Sequence, residues 1–287
     1  MKNNKGFKSK PVVSIIILTC NSYILANQCI DLVKKLTSKN YHKNIIVVDN
    51  GSKGDIVKKL AQEYPEIMIV DNKVNYGFSK GINYGIKLAL DLKSNYIFLL
   101  NDDTIFDSFL MDRLIEKAEN NKYLICGPQV LTKEGFVWSN GGMIDKKRFS
   151  GSLVDYGEKP SSDNKEKTVN FISGTAMLVK TSVFNKIGFL DEDYFLYYDD
   201  ADFCFRAQKA GIQSIIIPSI KLIHLETVTI GKNSPSHYYH AAKSRLIFLF
   251  KHAPYWLKIR EIMRLPKSIL ESRKPELQAY FDFFFKL

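Results

Sequence analysis

The most constraining feature of the sequence is the alternation of short apolar runs with helical patterns between residues 12 and 100. The runs Val12–Leu18 and Tyr96–Leu100 are rich in β-branched, aliphatic or aromatic residues, and they are too continuous for half-exposed strands. Between them, apolar residues recur at helical spacing, for example at Leu25, Cys29 and Leu32. This β-α-β-α-β-α-β order within about ninety residues predicts an α/β fold whose mostly parallel sheet is flanked by helices.

Three predicted strands end in polar residues: Thr19–Asn21, Asp49–Asn50 and Asn101–Asp103. Parallel strands bring their carboxyl ends to one edge of the sheet, which is where ligands bind in open α/β folds. The sequence therefore predicts a single nucleotide-sized site at that edge.

The Asn101-Asp102-Asp103 tip has two interpretations. Adjacent carboxylates repel each other unless a cation or hydrogen-bond donors offset their charge, and Mg²⁺ or Mn²⁺ is bound by one or two carboxylates plus substrate phosphates. The same three residues are also good turn formers, so a solvated turn is the alternative.

The second half of the chain is less regular. Its strand patterns lie at Phe171–Val179, Ile215–Pro218 and Lys221–His224, and from His237 onward the pattern is helical, with His237 and His240 expected on the helix surface.

Residues 139–168 are rich in glycine and small polar residues and predict a mobile flap outside the core that becomes ordered over donor or acceptor. Asp199 and Asp200 precede a helical pattern that ends at Gly211, so both are expected at a helix N-terminus, where the dipole favours anions. Simple capping by Asp199 is the alternative.

Charge and motifs exclude several classes of protein. The net charge of +11 is confined to the ends: residues 1–10 carry four lysines and no acid, and residues 221–287 carry 12 basic against 5 acidic residues. This distribution argues against a nucleic-acid cleft in the main domain and favours contact of the ends with an anionic surface, either a membrane or a polyanion. Neither a P-loop nor a dinucleotide fingerprint is present. Four unpaired cysteines and the lack of a secretory apolar segment predict a cytoplasmic protein, associated peripherally with the inner face of the membrane.

Six motifs together resemble those of a known family. In chain order they are similar to the motifs of family 2 glycosyltransferases of the GT-A fold, and most of all to the bacterial rhamnosyltransferase-like, cell-surface polysaccharide branch. They are Val13–Asn21, Val47–Ser52, Asn75–Asn83, Leu99–Thr104, Ser173–Leu178 and Tyr198–Arg206.

The resemblance implies roles for individual residues. Asp200 corresponds to the general base, Asp103 to a metal ligand for Mn²⁺ or Mg²⁺, and His224 to a further metal contact, although a satisfied rim histidine is the alternative for His224. Two positions depart from the family pattern, because Asn101 replaces the first acid of D-x-D and Asp199 replaces the glutamate of the Glu-Asp pair. The implied donor-binding residues are Thr19, Asn21, Asp49, Asn50, Asn101 and Asp102.

The expected organisation follows from these assignments. Residues 1–10 form a disordered basic leader, 11–225 a catalytic domain with a nucleotide-binding half (11–104) and an acceptor half (105–225), and 226–287 a helical basic extension. Peripheral association of this extension with a membrane is expected, and packing on the catalytic domain or on a second subunit is the alternative. The expected activity is inverting transfer of a sugar from a nucleotide-diphosphate donor to a glycan or lipid-linked acceptor in surface polysaccharide synthesis. A sugar-1-phosphate nucleotidyltransferase and an inactive sugar-nucleotide-binding protein are the alternatives, and a homodimer stays open.

Overall fold

The computed structural model describes residues 9–226 and 234–285, so most of the predicted leader and parts of the extension lie outside the described residues. The strands are β1 (Val12–Thr19), β2 (His42–Asn50), β3 (Met68–Asn72), β4 (Tyr96–Asn101), β5 (Thr104–Ile105), β6 (Ile125–Leu131), β7 (Val137–Ser139), β8 (Gly142–Asp145), β9 (Ser150–Leu153), β10 (Lys167–Val169), β11 (Ala176–Lys180) and β12 (Ser214–His224). The helices are α1 (Tyr23–Lys34), α2 (Ile56–Glu63), α3 (Gly77–Asp91), α4 (Leu110–Asn121), α5 (Thr181–Ile187), α6 (Asp199–Lys209), α7 (Pro235–His252), α8 (Tyr255–Glu271) and α9 (Lys274–Phe284).

The predicted α/β fold is confirmed. The main sheet has the order β10-β12-β6-β11-β4-β1-β2-β3, and its β4-β1-β2-β3 portion is entirely parallel. In this register Thr19 lies opposite Asp49, and Leu18 lies opposite Asn101. The three polar strand tips therefore meet at one edge, as the sequence predicts.

The second half of the sheet differs from expectation in two places. Strand character was expected over Phe171–Val179, but β11 begins only at Ala176 and runs antiparallel between β4 and β6. Two short strands were expected at 215–224, whereas β12 is one strand with a register shift between Ile217 and Lys221. Pro218 lies in that irregular stretch. Proline has no backbone N–H to donate, and at this position the strand pairing does not require one.

Apolar side chains fill both faces of the sheet. Ile16 joins a cluster on one face, whereas Ile15 and Ile17 join a cluster on the other, because successive side chains of a strand point in opposite directions. The cluster that contains Ile16 also contains Phe171, Phe203 and residues of α7.

The segment 139–168 is not the plain loop expected from its composition. It contains the β8–β9 hairpin, and Ile144 and Phe149 are buried in the core. The ring of Phe149 stacks on Phe248 of α7 with centroids 5.2 Å apart. The expectation that this segment lies outside the core is therefore wrong at the hairpin, because two large apolar residues of the hairpin region pack into the core. Its ordering over a substrate stays a prediction.

Candidate functional site

Asp103 and His224 lie together at the end of β4. The two residues are almost fully buried, and His224 Nε2 lies 3.0 Å from Asp103 Oδ1. The pairing of β5 with the end of β12 brings them together, since His224 is opposite Thr104. Trp138 packs edge-on against the imidazole at 4.6 Å. The other ring nitrogen, Nδ1, is buried and has no hydrogen-bond partner among residues 9–226 and 234–285.

Asp102 is held in a partly desolvated environment beside this pair. The pKa of Asp102 is raised to about 7, mainly by burial; a hydrogen bond from Thr19 opposes this rise, and the nearby charge of Asp103 adds to it. Thr19 itself is buried at the end of β1. Thus the strand tip is a turn that is not fully solvated, because Asp103 is buried, Asp102 is partly buried, and the two carboxylates are close enough to interact.

Asp49 leaves one carboxylate oxygen without a partner. Its Oδ1 accepts a hydrogen bond of 2.9 Å from the Ser52 amide, whereas Oδ2 is buried and unbonded among the described residues. A buried carboxylate oxygen without a donor is unfavourable. A ligand with an N–H or O–H group would satisfy it.

Asn50 and Asn21 are engaged within the protein. The Asn50 amide donates to Asn75 Oδ1 and to the Gly77 carbonyl at 3.0 and 2.9 Å, and its oxygen accepts from Asn72. Asn21 donates its backbone N–H to Ser52 and accepts from the Lys53 amide. These bonds favour a structural role for both side chains, and their expected contact with the donor stays a prediction.

Asp199 and Asp200 are the first two residues of α6, as predicted. Tyr198 occupies the capping position, so Asp199 is not the helix cap. Burial, together with the charge of Asp200, raises the pKa of Asp199 well above its usual value. Burial also raises the pKa of Asp200, although amide hydrogen bonds from Gly174 and Ala201 oppose that rise.

A short backbone segment connects Asp200 to the tip of β4. Asp200 Oδ2 accepts the Gly174 amide at 3.1 Å, and the Thr175 carbonyl accepts the Asn101 amide at 3.0 Å. Only two hydrogen bonds and one peptide unit therefore separate the α6 carboxylate from the predicted metal-binding strand tip. The fold brings the two groups of acids to one site, although they are about a hundred residues apart in sequence.

The turn before α6 is strained. Tyr197 and Tyr198 have φ angles of 67° and 63°, in the left-handed region that costs a residue with a side chain about 1–2 kcal/mol. Helix α7 holds this turn: Ser244 Oγ donates to the Leu196 carbonyl at 2.7 Å, and Tyr197 Oη is hydrogen-bonded to His237 Nδ1 at 2.8 Å. Strain of this kind persists only where the surroundings fix the conformation.

The contribution of α7 differs from the expectation that His237 and His240 lie on the helix surface. Instead, His237 contacts Tyr197, and His240 stacks on Phe195 with ring centroids 4.6 Å apart. The closeness of both histidines to the start of the helix is the signal that could have suggested contact with one segment.

The chain is similar to several known proteins. The family model described as Glycosyl transferase family 2 matches residues 14–188. The N-acetylglucosaminyl-diphospho-decaprenol L-rhamnosyltransferase of Mycobacterium tuberculosis is 23% identical over 268 residues, which cover 82% of this chain and 87% of that protein. The dTDP-rhamnosyl transferase RfbF of Shigella flexneri is 28% identical, over 81% of this chain and 79% of that protein.

Other matches are less complete. The low-salt glycan biosynthesis hexosyltransferase Agl10 of Haloferax volcanii is 28% identical over 64% of this chain, and the matched region spans 59% of that relative's length. The crystal structure of GalNAc-T7 with UDP, GalNAc and Mn²⁺ superposes with a TM-score of 0.71 at 13% identity, covering 96% of this chain and 55% of that one. At that identity the likeness shows the fold alone.

Proposed function

The chain belongs to glycosyl transferase family 2, and from this premise we propose that it transfers a sugar from a nucleotide-diphosphate sugar to a hydroxyl group of a glycan or lipid-linked acceptor in surface polysaccharide synthesis. The observation that carries the proposal is the joining of Asp200 to the Asn101–Asp103 strand tip through Gly174 and Thr175. One acid for the acceptor and a separate acidic tip for the donor are what a transferase of this kind needs.

Asp200 acts as the general base. It accepts the proton of the acceptor hydroxyl as the hydroxyl oxygen bonds to the anomeric carbon and the bond to the nucleoside diphosphate breaks on the opposite face. The configuration at that carbon is therefore inverted. Burial raises the pKa of Asp200 above its usual value, which suits a base that must also hold the proton.

Asp103 and His224 would hold a divalent cation, Mn²⁺ or Mg²⁺. Within residues 9–226 and 234–285, no group of three or more His, Cys, Asp or Glu residues could hold a metal on its own. The pair still fits, because such ions are bound by few protein ligands and complete their shell with substrate phosphates, and because His224 Nε2 lies 3.0 Å from Asp103 Oδ1. When bound, the cation would neutralise charge on the departing diphosphate.

The donor-binding role of the remaining strand-tip residues rests on a similar argument. Asp49 has an unbonded oxygen for a nucleobase N–H, and Thr19 and Asp102 lie at the same edge. Asn101, Asn50 and Asn21 complete the donor side, the last two by shaping its loops.

Helix α8 supports a peripheral location on the inner face of an anionic membrane. No helix in the described part of the chain is long and apolar enough to cross a bilayer. However, at 3.6 residues per turn the exposed apolar residues of α8 fall on one side of the helix, with basic residues flanking them. The exposed apolar residues are Tyr255, Trp256, Ile259, Ile262, Met263 and Leu270, and the basic ones are Lys258, Arg260, Arg264 and Lys267.

The catalytic assignment is tested with labelled nucleotide sugars. We expect Asp200→Asn to keep the fold and the affinity for donor but to lose transfer by about 10²–10⁴-fold, the usual contribution of a general base. Asp199→Asn is the matched control. If Asp199→Asn is inactive while Asp200→Asn turns over normally, the base is wrongly assigned.

The same assay separates the alternative activities. Label transferred to a glycan or lipid identifies a glycosyltransferase. Label released as sugar 1-phosphate only when pyrophosphate is added, with a nucleoside triphosphate as the second product, identifies a nucleotidyltransferase. Donor binding without either product would identify an inactive binding protein.

We also expect Asp103→Ala to lose Mn²⁺-dependent donor binding. An unchanged affinity of this variant for nucleotide sugar in Mn²⁺ would contradict the metal assignment.

Membrane association and the homodimer are tested by sedimentation. The full chain should sediment with anionic vesicles at low salt and be released at high salt, because each basic residue near such a surface contributes about 1 kcal/mol. If all of the protein stays in the supernatant at low salt, the membrane role is contradicted. Analytical ultracentrifugation without vesicles gives the oligomeric state.

A further inference from the structure

A concave pocket lined by arginines lies between the β8–β9 hairpin and the C-terminal helices. It has a volume of about 430 Å³ and is lined by Arg148 of the hairpin connection, Arg245 of α7, and Arg260 and Arg264 of α8. The acid among its lining residues is Glu261. A cavity with four guanidinium groups and one carboxylate has a net charge of +3, which suits an anionic ligand.

The protein itself neutralises only part of this charge. Glu261 pairs with Arg245, so that pair is an internal structural element. Within the described ranges, no ion pair is formed by Arg148 or Arg264, and the Asp145 carboxylate near Arg148 accepts the amides of residues 147 and 148. Two guanidinium groups thus remain available at the rim.

Arg260 provides the second, independent observation. Its Nη2 donates to the Lys147 carbonyl at 2.6 Å, which ties α8 to the hairpin. Its Nε is buried and finds no acceptor within the part of the chain that the structure describes. A buried charged donor without an acceptor is costly, and a phosphate oxygen is an acceptor of the right charge and geometry.

The pocket adjoins the acceptor side of the site. Ser150 lines it, and the next residue, Gly151, donates its N–H to Tyr198 Oη at 3.3 Å. Tyr198 immediately precedes Asp199 and Asp200 in the strained turn. The charges of both Arg245 and Asp200 act on the pKa of Tyr198, after the larger effect of its burial, so this ring lies near both.

The pocket also adjoins the exposed apolar side of α8. Arg260 and Arg264 line the cavity, whereas Ile259 and Met263, one position earlier in each case, are more than half exposed. A single molecule with an apolar tail could therefore lie along α8, present anionic groups to the arginines and reach Asp200 with its far end.

We propose that the arginine pocket binds the diphosphate of a prenyl-diphosphate-linked acceptor, and that Arg148, Arg260 and Arg264 position this acceptor for transfer. Arginine suits this role because its planar guanidinium bonds two phosphate oxygens at once. The inference rests on the proposed glycosyltransferase function, and it adds the class of acceptor and the residues that select it.

The test measures binding of farnesyl diphosphate to the full-length protein in EDTA, so that no cation supports binding at Asp103 and His224. Arg148→Gln and Arg264→Gln are suitable variants because both side chains are exposed, and each should weaken binding about tenfold, the usual effect of one charged hydrogen bond. The matched control is Lys258→Gln, which removes one positive charge from α8 outside the pocket and should change the affinity less than twofold.

Further probes separate the sources of the anion. Farnesol, inorganic pyrophosphate and vesicles of phosphatidylglycerol are measured beside farnesyl diphosphate. Farnesyl diphosphate binding more tightly than all three, with loss in both arginine variants, supports the proposal. Equal affinity of wild type and variants overturns it. Pyrophosphate binding as tightly as farnesyl diphosphate, or vesicles alone competing for the pocket, would replace the prenyl diphosphate with a free anion or a lipid headgroup.

Donor binding is followed in the same samples. Nucleotide-sugar affinity in Mn²⁺ should be unchanged by Arg148→Gln and Arg264→Gln. If wild-type protein binds no nucleotide sugar, the proposed function fails; if it binds nucleotide sugar normally and farnesyl diphosphate not at all, only the arginine pocket fails.

Discussion

Helices α7 and α8 follow each other in the same basic, aromatic-rich segment, but they relate to the protein in opposite ways. Helix α7 buries four consecutive residues, Leu246–Leu249, and holds the strained turn before Asp199. Helix α8 buries Leu257 and Glu261 and leaves Met263 77% exposed. The comparison shows that two helices of similar composition can differ in burial: α7 packs into the core, whereas α8 leaves one apolar side exposed. The difference depends on which other parts of the protein each helix packs against, and the local sequence does not specify these contacts.

The largest effect is expected in the α7 core. Phe248→Ala should lower the free energy of unfolding by about 3–5 kcal/mol, because the ring is fully buried among Phe149, Tyr198 and Phe205 and its removal leaves a cavity. Denaturant unfolding measures this. Met263→Ala on α8 is the control and should stay within about 0.5 kcal/mol. Comparable losses in both variants would contradict the contrast between the helices.

The next effect concerns the buried network that ties α7 to α6. His252 Nε2 and Arg206 Nε lie 2.5 and 2.7 Å from the two oxygens of Asp202. Burial alone would raise the pKa of Asp202, but these hydrogen bonds and the positive charges of His252 and Arg206 lower it below its usual value. Asp202→Asn should therefore cost about 2–3 kcal/mol at pH 7, the value of hydrogen bonds to a charged group.

The lowered pKa also gives this network a pH signature. A carboxyl group whose pKa is lowered in the folded state stabilises the protein above its unfolded pKa of about 3.9, and this stabilisation is lost as pH falls through the folded value. The difference in the free energy of unfolding between wild type and Asp202→Asn should thus become smaller below about pH 4. Parallel stability curves from pH 7 to pH 3 would show that Asp202 does not carry the effect.

A smaller change in stability, with a larger change in activity, is expected at Ser244. Ser244→Ala removes the hydrogen bond to the Leu196 carbonyl and should cost about 1 kcal/mol. Transfer should fall by about 10- to 100-fold, because the turn that carries Asp199 and Asp200 would relax and a small misplacement is costly. Ser236→Ala, at an exposed position of α7, is the control. Unchanged kcat in Ser244→Ala would contradict a positioning role for α7.

The smallest effect on stability is expected on α8. The double variant Ile259→Ser with Met263→Ser should unfold within about 0.5 kcal/mol of wild type, since both side chains are largely exposed. The same variant should lose sedimentation with anionic vesicles, because the apolar surface that would enter the headgroup region is gone. A clear loss of stability would mean that another part of the protein covers this side of α8.

Much of the donor side could be predicted from sequence. Thr19, Asp49 and Asn101 each end an apolar run, and parallel strands must bring such ends together, so local pattern and one topological rule suffice. The acceptor side was predicted less well. The order of Asp199 and Asp200 at the start of α6 was visible, but the left-handed turn before them and its support by α7 were not.

The sequence by itself determined the α/β class, the alternation of elements up to β4 and the carboxylates that end them, because strand and helix periodicity are local properties of the chain. Only the tertiary structure decided that Asp103 meets His224, that Gly174 and Thr175 join Asp200 to the strand tip, and that Arg148 faces the arginines of α7 and α8. These contacts join residues from about 25 to more than 100 positions apart. Their formation depends on how helices and strands pack in three dimensions, and the spacing of residues in the sequence does not predict that packing.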